Sequence, residues 1–271
     1  VNHAFLLEAL GTVADESLLL LFFVLLAIYV VVTEIGFRIG RRVYNRRTAE
    51  ETERSGVGFV TGGILGLLAF LLGITLSLAD GRHNERRGVV LGEANAIGTA
   101  WLRAGVIGGE EGARMQRLIA DYAEVRIRVY RDIRTREDAA RLDAETARFQ
   151  TELWGIAAGV AQAKPTPISG LMLSALNEMF DLATTQKRFF TERVPTHILR
   201  LLLWTSILAV GAMGYNFGVN GSRQAVMSSI LLLLWSSALV LIVDINRPRQ
   251  GTVTISSAPI EWTLESFGPR R

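Results

Sequence analysis

Four stretches of the chain run apolar without a charge, and the segments between them mix polar and apolar residues. From Leu18 to Val32 every residue is apolar, and Ser17 and Thr33 lengthen the run without adding charge. The second stretch, Gly56–Ala79, is uncharged until Asp80, Arg82, Glu85, Arg86 and Arg87 end it. The third runs from about Leu201 to Val219 and the fourth from about Ala225 to Val243. A bilayer-spanning helix takes about 20 mostly apolar residues, or about 17 in a thin membrane. Lipid offers backbone groups no hydrogen-bond partner, so all four stretches are expected to be helices. Between the last two, Asn220-Gly221 reads as a tight turn and predicts an antiparallel helical hairpin.

The segment from Asp80 to His197 has a different texture. Met115, Leu118, Ile119, Tyr122, Val125, Val129 and Ile133 recur every three or four residues, with Arg, Asp and Glu between them. That spacing predicts an amphipathic helix, which Phe149, Leu153, Ile156, Ala157 and Val160 continue after a polar break. Pro165 and Pro167 stop it, and Leu171, Leu173, Leu176, Met179, Phe180 and Leu182 start another that ends near Pro195. The expected fold is an all-α membrane protein with four transmembrane helices and an amphipathic helical bundle between the second and third. Its parts are a first helix pair over residues 1–79, a soluble helical domain over 80–197, and a second hairpin over 198–245. A C-terminal tail over 246–271 is expected to pack on the domain, with Gly251–Ser256 extended along it.

Composition agrees once the charges are located. The chain is 49% hydrophobic and 20% charged, and 33 of its 55 Lys, Arg, Asp and Glu residues lie between Asp80 and Arg193. A soluble protein spreads its charge along every helix. With no cysteine, disulfides and thiolate chemistry are excluded, and His3, His83 and His197 are too scattered to suggest a metal cluster. The net charge of +3 is too small to suggest nucleic-acid binding. No cofactor and no enzymatic activity are expected. Gly56-Val-Gly-Phe-Val-Thr-Gly-Gly has the look of a phosphate loop, but it lies in an apolar run without the strand or Lys such a loop needs. Val1–Ser17 has no Lys or Arg and no small-residue cleavage site follows the first run, which reads as a retained helix rather than a signal peptide.

Within the second stretch, Gly58, Gly62, Gly66, Phe70 and Ile74 fall at successive steps of four, with Ser77 nearby. Such residues form one slowly winding stripe on a helix. Small residues in that pattern serve either close helix packing or a wide passage. In the second case Phe70 and Ile74 form an apolar ring where several copies meet, and such rings gate ions by losing water.

The segment Gly66-Leu-Leu-Ala-Phe-Leu-Leu-Gly-Ile-Thr-Leu-Ser-Leu-Ala-Asp80 is followed by Arg82, Glu85-Arg86-Arg87 and Gly92-Glu-Ala-Asn-Ala-Ile-Gly-Thr-Ala-Trp-Leu-Arg103. Together these resemble the signature of the bestrophin-like bacterial membrane proteins, which are distantly similar to bestrophin anion channels. Leu176-Asn-Glu-Met-Phe-Asp181, Arg193-Val-Pro195 and Val243-Asp-Ile-Asn-Arg-Pro-Arg-Gln-Gly251 match further blocks in order. The resemblance implies a ring of subunits, typically five, conducting ions passively, with anions as the permeant class and the helical region in the cytoplasm. It maps the narrow neck onto Gly66, Phe70 and Ile74. The implied location is a bacterial inner membrane, and the implied partners are lipid, further copies and inorganic ions. A non-conducting membrane scaffold or sensor, with the glycine stripe packed inside one subunit, is the competing reading.

Arginines near helix ends number nine on the domain side, counting Lys187, and seven on the other, a lean towards a cytoplasmic domain. Arg200 opens the third spanning helix and Asp244 closes the fourth, so a salt bridge between these interface charges is expected. Arg247-Pro248 then ends the helix. Glu34 is expected to snorkel beside Arg38. Glu93 and Asn95 sit on an apolar face and suggest interhelical hydrogen bonds or a place in the ion route. Asn177 and Asp181 share a face and are expected to meet Arg82 or Arg86.

Overall fold

The structure is a computed structural model that describes residues 17–46, 51–191, 194–247 and 251–268. Eight helices run along them: α1 (Leu18–Arg46), α2 (Glu51–Ile107), α3 (Gly109–Arg131), α4 (Arg136–Ala163), α5 (Pro167–Thr191), α6 (Thr196–Asn220), α7 (Ala225–Ile245) and α8 (Ala258–Ser266). The described residues contain no strand. Four helices are long and apolar enough to cross a membrane, and they begin in the four apolar stretches. The N-terminal segment and Pro248 lie outside the described residues.

Two helices outrun their hydrophobic stretches. Residues Phe37–Arg46 were expected in a loop, yet α1 continues through them as helix. Nothing in Phe37–Arg46 breaks a helix: there is no Pro, and Gly40 is buried rather than at a turn. The second, α2, runs 57 residues without interruption, so Asp80 ends the apolar run but not the helix. It ends where Gly108 and Gly109 both take positive φ (68° and 61°), a conformation only glycine adopts freely.

The chain divides into two compact units, Val1–Gly81 with Arg193–Val253, and Arg82–Glu192 with Thr254–Arg271. In the first, Leu21, Leu25 and Tyr29 of α1 share a core with Leu68 and Leu72 of α2, Leu202, Val210 and Met213 of α6, and Leu232, Trp235 and Leu239 of α7. The most intimate pair is α1 with α6. Gly36 and Gly40 face Gly211, Gly214 and Gly218 so closely that a Cβ on Gly36 would lie 2.9 Å from the Tyr215 nitrogen. At Gly218 it would lie 2.8 Å from the Arg41 nitrogen. The hairpin expectation is corrected to that extent. Gly221 (φ 70°) does end α6 and turn the chain, but α6 takes α1 as its main neighbour, because only α1 offers it glycines at matching heights.

In the second unit, α3, α4, α5, α8 and the later part of α2 enclose one core that includes Ile97, Met115, Ile119, Leu153, Leu176 and Ile260. Thr135 caps α4: its hydroxyl accepts from the Asp138 N–H (3.1 Å), and the Asp138 carboxylate accepts from the Thr135 N–H (3.1 Å). Those bonds hold the Asp138 carboxyl below its ordinary range.

Candidate functional site

The periodicity of burial along α2 defines the site. Thr61, Leu68, Leu72, Thr75, Ala79, Arg86, Val90, Glu93, Ile97, Ala100 and Ala104 are buried and recur at helical spacing. The opposite side is open. Gly62, Gly66, Phe70, Ile74 and Ser77 are exposed, Phe70 by 63% and Ile74 by 44%, and Gly58 is half-buried. All six residues of the sequence-derived stripe thus lie off the packed face, although the same helix carries buried Leu68 and Leu72 one or two positions away.

The glycines of this face have no neighbours within the chain. A Cβ built on Gly62, Gly63, Gly66 or Gly73 would meet no atom within 4 Å, and one on Gly58 would meet only the Asn216 side chain at 4.0 Å. A helix-interior glycine costs about 0.5–1 kcal/mol relative to alanine. At the α1–α6 contact that cost is offset by close backbone approach. Along α2 no packing within the chain offsets it. Two sets of glycines with the same spacing therefore do different things, and the set that packs helices together was not singled out from the sequence.

The charges expected at membrane edges are arranged differently from the sequence reading. Asp244 is buried, and its carboxylate accepts the Thr252 N–H at 2.7 Å and the Thr252 hydroxyl. Arg200 is exposed and has no ion pair among the described residues. The expected Arg200–Asp244 bridge is absent because Thr252, eight residues on, folds back and satisfies both carboxylate oxygens. Beside it, the Asn246 side-chain oxygen accepts the Val194 N–H at 2.7 Å, pinning the start of α6 to the end of α7. Glu34 does accept from Arg38 Nε (2.8 Å), as expected, and also from Arg223 (2.9 Å).

In the second unit, Glu93 is fully buried and accepts bonds from Arg126 and from the Tyr130 hydroxyl (2.9 Å). Arg126 donates further to Gln186 Oε1 at 3.1 Å. Burial pulls the Arg126 pKa down, but the facing Glu93 carboxylate outweighs it and the guanidinium holds its proton more tightly than usual. Burial, helped by Glu93, pushes the Tyr130 hydroxyl well above its ordinary value. Glu93 is thus an interhelical tie and is sealed from any aqueous route, whereas Asn95 is exposed. Asn177 and Asp181 bond to each other (3.1 Å) and not to Arg82 or Arg86. Arg86 is buried and donates to the Phe189 carbonyl at 3.0 Å. Among the described residues no group of His, Asp and Glu could hold a metal ion.

Residues 27–260 match the family described as the bestrophin-like domain. No curated protein matches the chain. Among solved structures, a crystal structure of a bacterial bestrophin homolog from Klebsiella pneumoniae, phased by Zn-SAD, is 18% identical. That match covers 90% of this chain and 94% of that one, with a TM-score of 0.62. Two point variants of the same homolog are each 17% identical, with TM-scores of 0.64 and 0.66. They cover 90% and 92% of this chain, and 96% of theirs. At such identities the likeness is one of fold.

Proposed function

The chain belongs to the bestrophin-like family, and from that premise we propose that copies of this membrane protein assemble around an axis and conduct ions passively between them. The single observation that carries the reading is the open face of α2. Its glycines gain nothing from their own chain, so their small size serves something outside it. A ring of copies, five in the family's usual pattern, gives that face a common aqueous axis.

In this reading Gly58, Gly62, Gly66, Phe70, Ile74 and Ser77 line the pore. Glycines leave it wide, and Phe70 and Ile74 supply an apolar constriction that loses water when narrow. The stretch carries no charged side chain, so fixed charge does not set its preference. The positive edges of Phe70 rings facing the axis favour anions. Residues 80–197 form a cytoplasmic helical domain, the tail over 246–271 packs on it, and the protein resides in a bacterial inner membrane. The channel reading excludes catalysis as the primary role, in keeping with the lack of a nucleophile–base pair in the sequence.

The competing scaffold reading needs the glycine stripe packed inside one subunit, and Gly62, Gly63 and Gly66 have no such contacts. Ion flux through purified protein in liposomes tests the proposal. The wild type should pass ions, and Phe70→Ala and Ile74→Ala should raise the flux. Equal flux from all three would remove the constriction from these residues, and none from any would end the channel reading. A detergent mass matching one copy would do the same.

A further inference from the structure

The end of α1 away from Leu18 carries a surface that the channel reading does not use. Between Leu18 and Ala49 the sequence holds one acid, Glu34, against Arg38, Arg41, Arg42, Arg46 and Arg47. Glu34 serves two arginines at once, Arg38 at 2.8 Å and Arg223 at 2.9 Å. Both guanidinium side chains remain more than 60% exposed. One turn beyond Arg38, Arg42 is exposed and has no ion pair among the described residues. Three exposed arginines thus gather around one carboxylate.

Arg223 is held in place rather than left loose. Its guanidinium carbon lies 4.4 Å from the centre of the Phe37 ring, a cation–π distance. It precedes Gln224, the one described non-glycine residue with positive φ (39°). The turn after α6 is therefore strained in the place where it delivers a cation to the flank of α1.

On the same side of α1, Leu19, Leu20, Phe23, Val30, Val31, Ile35 and Ile39 are exposed. From Leu19 to Arg38 the helix rises about 29 Å, close to the roughly 30 Å of a bilayer's hydrocarbon core. The apolar stripe ends where the arginines begin, at the depth of lipid phosphates. Charge surplus, exposure and depth agree.

We propose that Arg38, Arg42 and Arg223 form a binding surface for the phosphate of an anionic phospholipid, whose acyl chain lies along Val31, Ile35 and Ile39. Guanidinium groups grip phosphate oxygens through paired N–H donors, and the surplus positive charge selects an anionic headgroup over a zwitterionic one. Each arginine near an anionic membrane surface contributes about a fivefold preference.

Delipidated protein in neutral detergent, offered equal phosphatidylglycerol and phosphatidylcholine of the same acyl length, tests this by native mass spectrometry. The wild type should retain phosphatidylglycerol in excess. Arg42→Gln should cut that excess about fivefold, and Arg38→Gln with Arg42→Gln should abolish it. Because Arg42 has no ion pair to lose, Arg42→Gln alone decides the matter if the double variant fails to fold. Equal retention of both lipids, or an undiminished excess in Arg42→Gln, overturns the proposal. Displacement of the bound lipid by excess glycerol phosphate also overturns it, since the surface would then be a site for soluble phosphate.

Discussion

Replacing Gly66 with alanine separates the roles open to the α2 glycines. Gly66 lies in the middle of a 57-residue helix, with open space around the position of a Cβ. Within one copy the methyl group therefore clashes with nothing and removes the conformational penalty of glycine, a gain of about 0.5–1 kcal/mol. In a thermal melt of the purified protein in detergent this corresponds to a rise of about 1–4 °C. If the face lines a shared axis, every copy also pushes a methyl about 1.5 Å towards it, just beside the constriction at Phe70. Flux in liposomes should then fall while the assembled mass stays the same. A lower melting temperature together with loss of the assembly would show the glycine pressed against a neighbouring copy's helix, and the argument from open space would fail. Unchanged flux with a raised melting temperature would place the face against lipid.

The other glycine set should respond in the opposite sense. Gly214→Ala drives its methyl into the Thr33 carbonyl of α1, and since backbone cannot rotate away, destabilisation of about 3 kcal/mol or more is expected in a detergent melt. Glu93→Gln leaves Arg126 buried without its counter-charge, which should cost about 3–5 kcal/mol; adding Arg126→Met should recover much of the loss, and additivity in the double variant would refute the pairing. The Asp138 carboxyl titrates below its unfolded value, so its contribution is complete above the ordinary Asp pKa and is lost as pH falls through the lower folded one. Acid melts of Asp138→Asn should therefore lose that part of the pH dependence, and a parallel profile would contradict the capping assignment. Thr252→Val strips the Asp244 carboxylate of a hydroxyl donor, and a lowered melting temperature is expected, by about 1–3 kcal/mol for a buried acceptor losing its partner.

Much of the architecture could be read from the chain because lipid and water impose opposite patterns. Four uncharged runs suffice to give four helices, and the 3.6 spacing from Met115 to Ile133 suffices to give α3. The long continuation of α2 followed from the absence of any breaker between Ala79 and Gly108. Partner choice was less legible. Gly36/Gly40 and Gly58/Gly62/Gly66 carry the same spacing, and nothing local says which set meets glycines on another helix. Arg200 and Asp244 lay near the right level for a bridge, but a carboxylate takes the donor that reaches it first, and Thr252 was that donor. Glu93 and Arg126 did leave a trace, since each is a charge at a position where the helical period calls for an apolar residue. Reading the two together would have found the pair.

Tyr29 is wholly enclosed, and its hydroxyl donates to Ser206 at 2.7 Å, which in turn donates to the Leu203 carbonyl at 2.7 Å. That relay starts on one helix and closes on the next, with leucines, Trp235 and Met213 around it. A solitary protomer consequently has a dry heart, and its transport capacity is a property of company rather than of the polypeptide. Dispersing the protein into a vast excess of lipid should extinguish conductance far more steeply than in proportion to the amount of protein, a mass-action signature that no single-chain carrier would leave.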